Sequence, residues 1–173
     1  SASHNTAIGD SALKVNTGAN NTAVGKSALI ANTSGENNIA LGSCSMLNNT
    51  TGSSNIAIGK VAMCVNTEGA NNTAIGHIAL RANTTADSNT AIGSSALTAN
   101  TTGASNTAVG AGALDSNTTG NNNIGVGAAA GSAITTGSSN TAVGQNSLQA
   151  NTTASNNTAI GLNSLYTNTT GPD

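Results

Sequence analysis

Few side chains in this chain of 173 residues could carry acid–base, nucleophilic or metal chemistry. The candidates are two histidines, His4 and His77, and two cysteines, Cys44 and Cys64. General acid–base catalysis needs such a group within hydrogen-bond reach of a second polar group, and the sequence pattern pairs neither histidine with carboxylates. The Gly-Gly-x-Gly-x-Asp phrase of calcium-binding repeats does not occur. We therefore expect a protein that is not an enzyme and has no metal ligands and no cofactor.

Charge and hydropathy exclude two classes of partner. Only four residues are Lys or Arg, six are Asp or Glu, and the formal net charge is −2. So few basic side chains cannot form a stripe that neutralises a nucleic-acid backbone. No apolar run approaches the roughly 20 residues that a membrane-spanning helix needs. We predict neither nucleic-acid binding nor membrane insertion.

One short phrase, repeated in tandem, organises the chain. It reads Asn-Thr-Ala-Ile/Val-Gly-x-Ser-Ala-Leu-x-x-Asn-Thr-Thr-Gly-x-Asn/Ser, and its residues are called positions 1 to 17 below. Ten copies follow one another at a constant spacing, except that the first copy is one residue short in its Asn-Thr-Thr turn. They begin at Asn5, Asn21, Asn38, Asn55, Asn72, Asn89, Asn106, Asn123, Asn140 and Asn157. No linker divides them, so we predict a single repeat domain over residues 1–173.

A short fixed period is typical of solenoids, in which each copy forms one turn. Every copy has two short apolar groups, at positions 2–4 and 8–9, separated by glycine and followed by turn residues. Helical repeats need more than about 30 residues, whereas strands of about four residues between Gly and Asn turns fit this length. The sequence therefore predicts an all-β fold. We expect a parallel β-solenoid (β-roll or β-helix) of ten coils, with two short strands per coil and no capping domain.

Alternation along the strand predicts which positions face the core. Position 4 is always Ile, Val or Leu and position 2 is Thr or Ile, and alternate residues of a strand share a face, so we expect both to point inward. Position 4 would form a buried core ladder at Ile8, Val24, Leu41, Ile58, Ile75, Ile92, Val109, Val126, Val143 and Ile160. Position 9, which is Leu or Met in nine copies, would pack against it. Asparagines at positions 1 and 12 would form amide ladders along the axis, and glycines at positions 5 and 15 would adopt left-handed conformations.

Four phrases, NTAIGDSAL, NTAVGKSAL, NTAIGSSALTANTTG and NTAVGQNSLQANTT, resemble repeats of bacterial and phage surface fibres. The similar proteins are tail-fibre-like proteins and, more loosely, the heads of trimeric autotransporter adhesins. The resemblance covers essentially all ten copies. It implies an extracellular fibrous element, often a homotrimer of left-handed β-rolls.

From the repeat and the resemblance we expect a non-catalytic structural or adhesive fibre element, located outside the cell or on a cell or virion surface. Since the copies run to both ends of the sequence, we expect a rod that stacks end to end or belongs to a longer fibre. The expected partner is the chain itself, in a head-to-tail filament or a homotrimer. Glycans or a host surface are the external partners to consider.

The Asn-Thr-Thr turn creates acceptor sequences for N-glycosylation. At position 12 they occur at Asn32, Asn49, Asn83, Asn100, Asn117, Asn151 and Asn168, and others occur at Asn20, Asn48, Asn71 and Asn156. Asn and Thr are also ordinary turn and ladder residues. The sequence leaves both explanations open.

Threonine columns raise an alternative function, the binding of ice. Position 13 is Thr in all ten copies, at Thr17, Thr33, Thr50, Thr67, Thr84, Thr101, Thr118, Thr135, Thr152 and Thr169. An ice-binding face favours two outward columns on a flat strand. Position 13 lies in a turn, and the threonines of position 2 are expected to point inward, so ice binding is the second hypothesis.

The two cysteines and the copy at 123–139 are local departures from the repeat. Cys44 at position 7 and Cys64 at position 10 fall on opposite faces of the predicted second strand, so we expect free thiols rather than a disulfide. The copy at 123–139 departs most from the consensus, with Gly125 for Ala, Gly131 for Leu and Ile134 for Asn. We expect drift of the repeat there rather than a docking point.

Overall fold

The computed structural model describes residues 2–169 and contains ten strands of three residues, one in each copy of the repeat. They are β1 (Thr6–Ile8), β2 (Thr22–Val24), β3 (Ile39–Leu41), β4 (Ile56–Ile58), β5 (Thr73–Ile75), β6 (Thr90–Ile92), β7 (Thr107–Val109), β8 (Ile124–Val126), β9 (Thr141–Val143) and β10 (Thr158–Ile160). All are parallel and lie in one sheet in chain order. Each position pairs with the same position of the next copy, as Ala74 does with Ala91. The predicted parallel β-solenoid, with one copy per coil, is confirmed.

Each coil contains one strand in the described residues, so the prediction of two strands per coil is wrong. Positions 6–11 fold into consecutive turns, and positions 7 and 9 have positive φ, as at Ser95 (φ 62°) and Leu97 (φ 50°). A left-handed residue interrupts the extended conformation of a strand. The turn still bonds to both neighbouring coils, since Ser95 N donates to His77 O at 3.0 Å and Leu97 N donates to Ala113 O at 3.0 Å.

The predicted inward positions of the strand are also wrong. Position 3, which is Ala in nine copies, is buried in the inner coils, whereas positions 2 and 4 lie on the outer face of the sheet. In β6, Ala91 is 0% exposed and Ile92 is 37% exposed. The predicted core ladder stacks in register but is half-buried or exposed throughout, at Ile8, Val24, Leu41, Ile58, Ile75, Ile92, Val109, Val126, Val143 and Ile160. Both Thr and Ile occur at position 2 because both suit the solvent side of a strand.

The core is a thin column of alanine, leucine and methionine side chains. It is built from position 3, from position 8 (Ala or Ser) and from position 9. The position 9 side chains of the inner coils are fully buried, at Leu29, Met46, Met63, Leu80, Leu97, Leu114 and Leu148. Leu13 and Leu165, in the first and last coils, are partly buried against this cluster. The prediction that position 9 belongs to the core is confirmed, and the other core positions, 3 and 8, carry small side chains.

Position 5 requires glycine, whereas position 15 is occupied by glycine or, at Ala86 and Ala154, by alanine. At position 5 the left-handed prediction is confirmed: Gly76 has φ +138°, and a Cβ there would lie 2.6 Å from the carbonyl carbon of Gly93. At position 15 the described glycines do not have positive φ, so that prediction is wrong. Position 15 is small because the chain passes close to the backbone of the next coil and to an asparagine: a Cβ on Gly103 would meet the oxygen of Gly120 and would lie 2.6 Å from Asn100 Oδ1.

The atypical copy at 123–139 keeps its coil by exchanging two core side chains. Gly131 stands at the Leu position, and Ile134, at the Asn position, is fully buried. A Cβ on Gly131 would lie 3.0 Å from Ile134 Cδ1 and 2.8 Å from Leu114 Cδ2. Ile134 and Leu114 therefore fill the volume that the missing leucine leaves. β8 pairs in register with both neighbouring strands, so no kink interrupts the sheet.

This exchange predicts strong coupling between residues 131 and 134. We expect Gly131→Leu alone to destabilise the chain by about 2 kcal/mol through overpacking, and Ile134→Asn alone by about 2–4 kcal/mol through a cavity. The double variant restores the consensus residues. Its loss of unfolding free energy should therefore be smaller than the sum of the two single losses, with a coupling of roughly 1–3 kcal/mol. Urea unfolding of the four chains measures this. Additive losses would contradict the exchange.

Candidate functional site

Two asparagines in each regular coil donate to the same backbone carbonyl. In the sixth coil, Nδ2 of Asn89 and Nδ2 of Asn100 each lie 2.9 Å from the oxygen of Gly103. Position 1 and position 12 converge in the same way on Gly18, Gly35, Gly52, Gly69, Ala86, Gly120 and Ala154. Both asparagines of the sixth coil are fully buried. Each pair therefore ties the strand to the turn across the inside of its own coil.

The position 12 amides also bond to one another along the axis. Nδ2 of Asn100 donates to Oδ1 of Asn83 at 3.1 Å, and Nδ2 of Asn117 donates to Oδ1 of Asn100 at 3.0 Å. At position 1 the amide oxygen instead accepts a backbone N–H, as Oδ1 of Asn89 does from the N–H of Asn106 at 2.9 Å. The predicted amide ladders are confirmed at both positions, and the one at position 1 runs mainly through the backbone.

The position 12 column is interrupted once, at Ile134. The amide oxygen of Asn117 there accepts a hydrogen bond from Nδ2 of Asn123 at 3.4 Å. On the other side of the gap, Nδ2 of Asn151 has no asparagine oxygen before it and keeps its bond to the backbone oxygen of Ala154 at 3.0 Å. A local partner thus replaces the missing ladder contact at Asn117.

Of the two explanations that the sequence left open for the position 12 asparagines, burial favours the ladder over the sugar acceptor. Asn32, Asn49, Asn83, Asn100, Asn117 and Asn151 are 0% exposed, and Asn168, in the last coil, is half-buried. An N-linked sugar is attached to Nδ2, which in the six buried residues donates hydrogen bonds inside the coil. The folded coil has no room for a sugar at this column. An asparagine whose Nδ2 is bonded inside a buried ladder cannot also carry a sugar. The amide ladder predicted from the sequence therefore already argued against glycosylation at position 12.

Four other acceptor sequences are exposed, at Asn20, Asn48, Asn71 and Asn156. Asn48 lies at position 11, and the other three lie at position 17, where φ is positive (58° at Asn20). Asn tolerates this left-handed conformation better than most residues do, which explains the Asn/Ser consensus of position 17. If the chain carries N-linked sugars, these four residues are where the coil has space for them.

The position 13 threonines form an internal ladder rather than a free hydroxyl surface. From Thr17 to Thr135, each Oγ1 donates to the backbone oxygen of the threonine in the next coil, at 2.7 to 3.2 Å. The column predicted as an ice-binding face therefore uses its hydroxyl protons to join the coils.

An outer surface that sequence reasoning missed lies on the sheet and is called the strand face. It consists of the position 4 aliphatic column together with position 2, at Thr6, Thr22, Ile39, Ile56, Thr73, Thr90, Thr107, Ile124, Thr141 and Thr158. Neither column contains a charged residue. Six of the nine exposed large hydrophobic residues lie on it, namely Ile8, Ile39, Ile92, Ile124, Val126 and Ile160. Exposed apolar surface is therefore concentrated on this face.

The titratable side chains are scattered over the turns. His4 is exposed at position 17 and His77 is exposed at position 6. Burial raises the pKa of Asp115, at position 10. Residues 2–169 contain no group of three His, Cys, Asp or Glu side chains that could hold a metal ion.

Comparison with protein-family models, curated proteins and solved structures finds no match to this chain. In the part of the chain that the structure describes, no helix is long and apolar enough to span a bilayer.

The buried asparagine pair predicts a pH-dependent defect in Asn100→Asp. An aspartate loses both donated hydrogen bonds and faces the oxygens of Asn83 and Gly103, so burial and repulsion raise the pKa of the new carboxyl. We expect a loss of about 3 kcal/mol at neutral pH. Because the raised pKa favours the protonated form, the loss should shrink as the pH falls toward about 4, the ordinary pKa of Asp.

Exposed Asn48→Asp is the matched control and should change the unfolding free energy by less than about 0.5 kcal/mol at any of these pH values. Thermal unfolding of both variants from pH 4 to 7 measures the two stability losses. Equal stability of the two variants at neutral pH would show that the asparagine pair does not hold the coil.

Proposed function

We propose that this chain is a non-catalytic structural or adhesive element of an extracellular fibre. The observation that supports this most is the unbroken register of ten coils, in which strand, turn and asparagine amides all bond from one coil to the next. Ten coils at the strand spacing of about 4.8 Å make a rod about 48 Å long. A rod whose asparagine amides bond inside each coil and from coil to coil suits a spacer or shaft.

The division between constant and variable positions supports an adhesive role. Positions 1, 3, 5, 9 and 12 hold the coil together and change little from copy to copy. Positions 6 and 10 lie in the surface turn and differ widely, as Lys60 and His77 do at position 6 and Arg81 and Asp115 do at position 10. A constant scaffold with variable surface columns can display contact groups for glycans or a host surface without a change of fold.

Self-association is part of the proposal. Resemblance to surface fibres favours a homotrimer or a head-to-tail filament outside the cell or on a virion. The uncharged strand face is an apolar surface that a second copy could cover without burying an unpaired charge. Low charge over the whole chain, with 6% of residues charged, also weakens electrostatic repulsion between copies.

Electron microscopy with analytical ultracentrifugation tests the fibre proposal. We expect straight rods about 48 Å long per chain, either thickened by lateral trimer formation or extended by end-to-end stacking. Antibodies against the chain should label unpermeabilised cells or virions of the source. Compact or flexible monomers at all concentrations, or labelling that requires permeabilisation, would contradict the proposal.

Ice binding is the second candidate, and one observation favours it. The strand face presents two outward columns in register along one sheet, with Thr in seven of ten copies at position 2 and an aliphatic side chain at position 4. Regularly spaced hydroxyl and methyl groups of this kind can match an ordered water lattice. The candidate ice face is thus the strand face and not the position 13 column.

Thermal hysteresis of the purified chain separates the two functions. If the strand face binds ice, Thr90→Tyr with Thr107→Tyr should abolish most of the hysteresis, because bulky rings interrupt the regular columns. Thr102→Tyr, in the exposed turn, is the matched control and should leave it unchanged. Absence of hysteresis in the unsubstituted chain rules out ice binding.

A further inference from the structure

The two cysteines of the chain lie in neighbouring coils. Cys44 occupies position 7 of the third coil and Cys64 occupies position 10 of the fourth. Both are free and half-buried. Because positions 7–10 form a turn and not a strand, the alternation argument that placed the two side chains on opposite faces does not apply.

Another coil shows how close these two positions are. Oγ1 of Thr98, at position 10, donates to the backbone oxygen of Ile78, at position 7 of the preceding coil, at 2.9 Å. Cys64 and Cys44 stand at the same two positions and have the same separation in sequence. The side chain at position 10 therefore reaches over the backbone of position 7 in the coil before it.

Local contacts hold the two cysteine-bearing turns together. The N–H of Asn48 donates to the oxygen of Cys64 at 3.1 Å, which pairs the third coil with the fourth next to the thiol. Burial, and then the neighbouring Cys44, raise the pKa of the Cys64 thiol. Cys44 is therefore a neighbour of the Cys64 thiol, in agreement with the geometry of the Thr98 contact.

We propose that Cys44 and Cys64 are a modification site that closes into a reversible disulfide between the third and fourth coils. This bond goes beyond the fibre function, because it would make the stability of one point of the rod depend on the surrounding redox state. A disulfide is favoured outside the cell, where the chain is proposed to act.

Thiol–disulfide exchange with a low-molecular-weight disulfide such as glutathione disulfide supplies the oxidation. The thiolate of one cysteine attacks a glutathione sulfur, forming a mixed disulfide and releasing one glutathione thiolate. The second cysteine thiolate attacks the protein sulfur of the mixed disulfide and releases the second glutathione thiolate. The protein loses two electrons and two protons, and glutathione disulfide gains them to become two glutathiones.

Closure links residues that lie in successive coils and so restricts the unfolded chain. We expect the oxidised chain to unfold at a Tm several degrees higher than the reduced chain. Since the raised pKa of Cys64 lowers its thiolate fraction at neutral pH, closure should accelerate as the pH rises.

Mass spectrometry of the unsubstituted folded chain, treated with glutathione disulfide, tests this proposal. Lys60 lies between the cysteines, so trypsin cuts the chain between them. We expect an intact mass reduced by two hydrogen atoms and a linked pair of tryptic peptides, in more than about tenfold excess over glutathione adducts. A chain that keeps bound glutathione, or one linked between molecules, would overturn the proposal.

Matched variants show whether the disulfide depends on the register of the coils or on chance collision of the two thiols. In a Cys44→Ser, Cys64→Ser background, Ile78→Cys with Thr98→Cys repeats the geometry elsewhere on the rod and should also close. In a Cys64→Ser background, Arg81→Cys places the second thiol two coils from Cys44 and should yield mixed disulfides only. If the thiols at residues 44 and 81 formed a disulfide as readily as those at residues 78 and 98, disulfide formation would report flexibility of the chain and not the position of the coils.

Discussion

Each regular coil depends on one backbone oxygen that receives two asparagine amides. An amide buried without partners is costly, so both asparagines must reach that oxygen in each of these coils. Their separation in sequence, from position 1 to position 12, is the same in every regular copy, for example between Asn89 and Asn100. The copy that is one residue short keeps this separation, between Asn5 and Asn16, and loses its residue in the turn that follows, where Asn16 still donates to Gly18. The constraint thus explains which part of the repeat tolerates deletion.

The core contributes less than in an ordinary domain, which makes the polar columns more important. One Leu or Met and two small side chains fill each regular inner coil. The leucine adopts a left-handed backbone conformation, as at Leu97 with φ 50°, a conformation that costs about 1–2 kcal/mol. Burial of its side chain offsets this cost. In the copy at 123–139, Gly131 relieves the strain and Ile134 supplies the buried volume from another position.

The sequence was sufficient to predict the period, the parallel solenoid, the leucine column and the asparagine ladders, because each is repeated in every coil. It was not sufficient to orient the strand. Thr or Ile at position 2 is compatible with either face, and Ala91 shows that the recurrent small residue, not the large one, points inward. The second strand was predicted because Ala96 and Leu97 look like a strand pair, whereas positive φ at Leu97 makes them a turn. The strand face was missed as a candidate surface because its residues were assigned to the core.

Hydrogen exchange of the asparagine side-chain amides, followed by NMR, tests the central role of the buried pair most directly. The Nδ2 protons of Asn89 and Asn100, which are buried and bonded to Gly103, should exchange as slowly as the backbone amides of the sheet. Those of exposed Asn48 and Asn71 should exchange at rates close to those of an unfolded peptide. Rapid exchange of all four amides would contradict the account.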